Sequence, residues 1–150
     1  MTERLNYNAA SPTGMKALGA VYGYVAQSGL PGRLIDLVYL RASQLNGCAY
    51  CIDMHSRDLI KQGMSVEHLV LVPAWREAGT IFSDKERAAL AWAEEVTLVA
   101  STGVSGAAYE AASEHFSEKE LADLTIAVGL MNAYNRMAIS FRATPLAAAA

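Results

Sequence analysis

Both cysteines of the chain and one of its three histidines lie within eight residues, between Cys48 and His55. Successive residues of an α-helix are rotated by about 100°, so a helix over residues 48–62 would place Cys48, Cys51 and His55 within an arc of about 60°. Leu59 continues the same arc one turn later. We therefore expect the two thiols and the imidazole to face a packed interior.

This arrangement favours thiol redox chemistry. A thiolate is the reactive form of cysteine, and both the positive end of a helix and a nearby imidazole favour its formation. Cys48 and Cys51 would lie in the first turn after Gly47, and His55 could accept or return a proton. A thiolate oxidised by a peroxide becomes a sulfenic acid, which the other thiol can convert to a disulfide. The pair therefore permits a closed redox cycle.

Two other interpretations of these residues stay open. The cysteines and the histidine could simply pack in the core, or they could bind zinc, for which thiolates and imidazole are ligands. A zinc site usually has four ligands, and the sequence supplies at most three nearby, without a second Cys-x-x-Cys motif or paired histidines. We therefore expect neither a metal nor an organic cofactor. A thioredoxin-like fold would require a βαβ unit, which the sequence does not predict.

Asp36 is the other candidate for chemistry, because it lies well inside a predicted helix and has apolar neighbours. It could pair with Arg33 or Arg41 near the surface, or it could act as the acid of a proton relay. The remaining histidines, His68 and His115, lie near predicted helix ends, where we expect surface or capping roles.

Other polar residues are expected to be structural. Asn132, Asn135 and Arg136 interrupt an apolar helix, where polar groups usually satisfy buried partners. The outer face of the cysteine helix is predicted to consist of Tyr50, Asp53, Arg57 and Asp58.

The predicted fold is all-α, with about six to seven helices and no sheet. Ser-x-x-Glu capping boxes open two of the helices, at Ser83 and Ser117, and glycines end several others. Between two of the helices, residues 73–82 are expected to form an irregular connection or a single turn, anchored by Trp75. The predicted helices cover about residues 12–25, 31–45, 48–62, 65–72, 83–100 and 106–115, and a last long helix begins after residue 117.

Composition limits the possible partners. A chain of 150 residues corresponds to about one domain, and its net charge of -3 without a basic run argues against nucleic acid or an anionic membrane. Residues 1–11 show no secretory signal, so we expect a cytoplasmic location. The apolar stretch 121–141 is interrupted by polar residues and is interpreted as a core helix. With 53% hydrophobic and 18% charged residues, the chain is expected to bury apolar surface between subunits.

The segment from Arg41 to His55 strongly resembles the core motif of AhpD-like alkylhydroperoxidases in the carboxymuconolactone decarboxylase superfamily. The resemblance extends through residues 74–77, 86–94 and 135–136, and covers about residues 15–142. It implies a single AhpD-like domain that assembles into homo-trimers or homo-hexamers. It also implies peroxide reduction by the Cys-x-x-Cys pair.

The resemblance assigns roles to individual residues. Cys51 corresponds to the peroxide-attacking thiol, Cys48 to the resolving thiol that meets the reductant, and His55 to the family's histidine. The family's relay glutamate is replaced by Asp36, so the relay is predicted to need a bridging water or a shifted helix. A second histidine of well-studied members is Tyr50 here.

The leading prediction is a thiol-dependent peroxidase that reduces alkyl or hydrogen peroxides, with a dithiol or a lipoyl-carrying protein as reductant. Lactone decarboxylation is disfavoured, because members with that activity generally lack the cysteine pair. The alternative is a non-catalytic oligomer that responds to redox state or binds a small molecule through the same pair.

Overall fold

The computed structural model describes residues 2–148. Most of these residues are helical, and no β-strand occurs among them. Nine α-helices lie within residues 2–148, and the seven that have six or more residues correspond to the seven predicted ones, which confirms the all-α fold. The α-helices are α1 (Tyr7–Ala10), α2 (Pro12–Ala26), α3 (Gly32–Asn46), α4 (Ala49–Lys61), α5 (Val66–Leu71), α6 (Asp84–Thr97), α7 (Val99–Thr102), α8 (Gly106–Ser113) and α9 (Glu118–Phe141). Two 3-10 helices cover Val72–Glu77 and Leu146–Ala148.

Local capping chemistry sets most helix boundaries as predicted. The Ser83 and Ser117 hydroxyls each accept a hydrogen bond from the backbone N–H of the glutamate three residues later. The carboxylate of that glutamate in turn accepts a hydrogen bond from the backbone N–H of the serine. Gly47 ends α3 in the left-handed conformation, with φ of 71°, which glycine adopts without steric cost. The chain can therefore turn at once from α3 into α4.

One helix boundary differs from the sequence prediction. The helix expected to reach residue 100 breaks at Leu98. There the Thr102 hydroxyl donates a hydrogen bond, at 2.8 Å, to the Glu95 carbonyl near the end of α6, which lacks a partner within the helix. Val72–Glu77 is a 3-10 helix with a kink at Ala74, within the segment expected to form an irregular connection or a single turn. Ser11 precedes Pro12 at the start of α2 and makes no side-chain capping hydrogen bond.

The long helix α3 lies at the centre and packs against α4, α6 and α9. Its residues Leu37, Val38 and Leu40 are fully buried. One apolar cluster contains both cysteines and residues of α3, α6 and α9, and a second surrounds Trp75, which is only 5% exposed and confirms the predicted anchor. Among residues 2–148, the structure contains no helix with the length and apolarity needed to cross a bilayer.

Candidate functional site

The two cysteines lie at the start of α4, where the helix dipole is positive. Cys48 is the N-cap residue, and its sulfur accepts a hydrogen bond from the backbone N–H of Cys51 at 3.4 Å. The two side chains form a disulfide, with their Cα atoms 5.4 Å apart. Exposure is only 1% for Cys48 and 2% for Cys51, as the predicted helix face requires. The structure thus describes the oxidised form of the pair.

His55 lies one turn after Cys51 and is completely buried. Its Nδ1 atom is 3.1 Å from Oδ1 of Asp36 on α3. Because an ionised carboxylate can only accept a hydrogen bond, Nδ1 carries the proton in the neutral imidazole and Nε2 is an acceptor. Nε2 has no hydrogen-bond partner among residues 2–148. His55 therefore has a basic nitrogen available for proton transfer.

Asp36 is a partner of His55 and not of the nearby arginines. Its second oxygen accepts a hydrogen bond from Nε2 of Gln62 at 2.5 Å, and its side chain is only 14% exposed. Arg33 and Arg41 pair with glutamates of α6, so the surface ion pair considered for Asp36 is wrong. The direct contact with His55 also makes a bridging water between these two groups unnecessary.

A network of amides holds the turn that precedes the cysteines. Asn46 donates to the side-chain oxygens of Asn132, at 3.0 Å, and of Asn135, at 2.8 Å. Asn135 in turn donates to the Ser43 hydroxyl at 3.0 Å, and the Cys48 amide donates to the Ser43 carbonyl at 2.9 Å. The predicted structural role of the two asparagines is confirmed, and it consists of tying α9 to the α3–α4 turn.

The other polar candidates have local roles. Arg136 donates to the Asn132 carbonyl at 2.8 Å and reinforces the same network. His68 lies 2.9 Å from the Ser65 hydroxyl at the start of α5, which fits the predicted capping role. His115 is exposed, also as predicted.

Glu94 joins three parts of the fold. It accepts hydrogen bonds from Nε1 of Trp75 at 2.8 Å and from Nε of Arg41 at 2.7 Å, and it pairs with Arg76. Burial alone would raise the pKa of Glu94, but these donors outweigh it and lower the pKa below its usual value. The ionised carboxylate therefore holds α3, α6 and the 3-10 helix together.

A cavity of about 300 Å³ opens beside Cys51. Besides Cys51, its walls consist mainly of methionines of α2, α4 and α9 and four tyrosines, namely Tyr7, Tyr22, Tyr50 and Tyr134. Among these tyrosines, only Tyr50 was named in the sequence predictions, on the outer face of the cysteine helix and in place of the family's second histidine. A larger cavity of about 540 Å³ lies between α6 and α8 and contains neither cysteine nor His55. The cavity at Cys51 is therefore the candidate substrate site.

One grouping has the composition of a metal site. An oxygen each of Asp36 and Asp58 and a ring nitrogen of His55 lie within 4.8 Å of one another. Each carboxylate already accepts a hydrogen bond, Asp36 from Gln62 and Asp58 from Lys61. We therefore assign this grouping to the hydrogen-bond network of His55.

Known proteins with similar sequences and structures identify the family of this chain. The family model described as carboxymuconolactone decarboxylase family matches residues 12–95, more than half of the chain. The chain belongs to the carboxymuconolactone decarboxylase family. Within this family it is similar to the uncharacterized protein YdfG of Bacillus subtilis, with 35% identity over 93% of this chain and 95% of YdfG.

Solved structures and curated relatives also connect this family member to AhpD proteins. The crystal structure of ATU0492 from Agrobacterium tumefaciens, a protein of unknown function considered a candidate AhpD antioxidant defence protein, superposes with a TM-score of 0.92. Its identity is 42%, over 96% of this chain and 98% of that one. The alkyl hydroperoxide reductase AhpD of Coxiella burnetii is 36% identical over 53 residues, 33% of this chain and 30% of that protein. The AhpD-like assignment made from the motif is confirmed.

Proposed function

We propose that this protein is a thiol-dependent peroxidase that reduces alkyl or hydrogen peroxides through a Cys48–Cys51 dithiol–disulfide cycle. The observation that carries the proposal is the position of Cys51. It lies in the first turn of α4, forms a disulfide with Cys48, borders a cavity and is followed one turn later by a histidine with an available nitrogen.

Cys51 is the better candidate for attack because it lines the cavity, whereas Cys48 is not among the residues that line it. In the reduced protein, Nε2 of His55 takes the proton of the Cys51 thiol, and the Asp36 carboxylate stabilises the imidazolium that results. The thiolate attacks the hydroperoxide, so that an S–O bond forms and the O–O bond breaks. The products are Cys51 sulfenic acid and an alkoxide, which receives the proton from His55 and leaves as an alcohol.

The Cys48 thiol completes the cycle by attacking the Cys51 sulfur. This step forms the disulfide and releases the sulfenic oxygen as water. An external dithiol, such as a lipoyl group, then returns two electrons and two protons to the cysteine pair. The similarity to proteins named for AhpD activity or antioxidant defence supports this cycle.

We also propose that the protein acts as a homo-oligomer, a trimer or hexamer as the family resemblance implies. Apolar surface supports the proposal, since α5 presents Val66 and Val70 with exposures of 59% and 64%.

The test is to add an alkyl hydroperoxide to the reduced protein and to determine thiols and mass. The wild type is expected to lose two thiols together and two mass units. Cys48→Ser is expected to stop at a sulfenic acid, and Cys51→Ser should not react with the peroxide through this site. A wild type that keeps its thiols, or a Cys51→Ser variant with equal turnover, would refute the proposal.

A second candidate is a small-molecule-binding protein whose disulfide alters ligand binding without turnover. The tyrosine- and methionine-lined cavity beside Cys51 favours it. With excess dithiol present, this candidate predicts that peroxide consumption stops after about one equivalent per chain. The peroxidase consumes many equivalents under the same conditions.

A further inference from the structure

The Tyr39 hydroxyl is buried and contributes no hydrogen bond to the described part of the fold. Its side chain is 1% exposed, and its hydroxyl has no hydrogen-bond partner among residues 2–148. A buried hydroxyl without a partner reduces stability, whereas phenylalanine would fill the same space without that cost. Among the described residues, the other buried side-chain polar atom without a partner is Nε2 of His55. The two rings are in contact.

Tyr39 lies behind the wall of the cavity, between His55 and the wall residue Tyr22. The tyrosine and imidazole rings have centroids 5.0 Å apart and are tilted by 52°. On its other side, Tyr39 stacks at 6.0 Å on Tyr22, which lines the cavity together with Cys51. Burial raises the pKa of Tyr39, and the neighbouring Tyr22 and Asp36 raise it further. The hydroxyl therefore stays protonated at neutral pH and is available as a donor.

We propose that a hydroperoxide bound at reduced Cys51 reaches past Tyr22 to the Tyr39 hydroxyl, which acts as a catalytic hydrogen-bond donor to the oxygen that leaves when Cys51 attacks. This inference rests on the proposed peroxidase function. As the O–O bond breaks, the leaving oxygen gains the electron pair and becomes an alkoxide. His55 supplies the proton that converts the alkoxide to an alcohol, while Tyr39 keeps its own proton and stabilises the developing charge.

The test compares two reactions of Cys51 in reduced wild type and in Tyr39→Phe. Reaction with tert-butyl hydroperoxide requires stabilisation of a basic leaving oxygen, whereas alkylation by iodoacetamide requires only the thiolate. Tyr39→Phe is expected to react about 10- to 100-fold more slowly with the hydroperoxide, the effect of losing one donor to a developing oxyanion. Alkylation should stay within about twofold of the wild-type rate. The melting temperature should be equal to or above that of the wild type.

Peracetic acid provides an independent measurement, because its leaving group is a carboxylate that needs little stabilisation. The defect of Tyr39→Phe should largely disappear with this oxidant. Tyr109→Phe is the matched control, since it removes the same hydroxyl from an exposed position on α8 and should change neither rate.

Two results would overturn the inference. In the first, Tyr39→Phe reacts with tert-butyl hydroperoxide as fast as the wild type, so the hydroxyl has no part in the reaction. In the second, oxidation and alkylation slow by the same factor, so Tyr39 acts only on thiolate formation. A wild type that does not react with either oxidant would instead refute the peroxidase proposal itself.

Discussion

Asp36→Asn should slow the reaction of Cys51 by removing the charge next to His55. The carboxylate oxygen lies 3.1 Å from Nδ1, His55 is completely buried, and Asp36 is 14% exposed, so little water can replace the lost charge. Asparagine can still accept the Nδ1 hydrogen bond through its amide oxygen and thus preserve the tautomer. A hydrogen bond to a charged group contributes about 1.5–3 kcal/mol and one between neutral groups about 0.5–1.5 kcal/mol. Loss of the difference, about 1–1.5 kcal/mol, in the transition state corresponds to a rate about 5- to 13-fold lower.

The assay is the pre-steady-state loss of thiols in reduced protein, with an alkyl hydroperoxide and with iodoacetamide, between about pH 6 and pH 9. Both reactions depend on the thiolate, so both should slow in Asp36→Asn, and the loss should be smaller at high pH, where the thiol ionises without help. This pattern differs from that of Tyr39→Phe, in which alkylation is preserved.

Asp53→Asn is the matched control for this prediction. It changes the net charge equally and lies two residues before His55, but it faces away from the imidazole across α4 and its carboxylate pairs with Arg57 at 2.9 Å. It should leave both rates within about twofold of the wild type. The reasoning is refuted if Asp36→Asn reacts at the wild-type rate, or if the two variants slow by the same factor.

Two further predictions concern stability. Glu94→Gln should reduce the free energy of unfolding by about 2 kcal/mol at neutral pH, because it leaves Arg41 and Arg76 without their carboxylate. The folded-state pKa of Glu94 is lowered, so its contribution is full above the unfolded-state pKa and is lost as pH falls through the folded value. Urea unfolding should therefore show a smaller difference from wild type in acid, and a constant difference would contradict this. Asn135→Ala should cost about 1–3 kcal/mol in urea unfolding, because the Ser43 hydroxyl loses its donor and Asn46 keeps only its bond to Asn132, and an unchanged midpoint would refute that role.

Local patterns in the sequence were sufficient to predict the helices and the cysteine face. Helical periodicity and capping act within about one turn, so Cys48, Cys51 and His55 could be placed on one buried face without knowledge of the rest of the fold. The glycine that ends α3 and the serines that open α6 and α9 are similarly local signals. The break at Leu98 was missed because it depends on a side chain five residues outside α6.

Contacts between distant segments could not be predicted in this way. Asp36 had Arg33 and Arg41 as neighbours within two turns, whereas its observed partner His55 lies on another helix. The cavity likewise combines Tyr7 of α1 and Tyr134 of α9, which are separated by most of the chain. No local pattern distinguishes these tyrosines from ordinary core or surface residues.

The turn at Gly47 nevertheless contains a signal that identifies Tyr39. Two helices joined by so short a turn form an antiparallel pair, so residues at equal distances from the turn lie opposite each other. Tyr39 precedes Gly47 by eight residues and His55 follows it by eight, and their rings are in contact. Asp36 lies one turn farther along α3 and reaches the same imidazole from the side away from the turn. The register of this hairpin thus gives His55 both its acid and its aromatic neighbour.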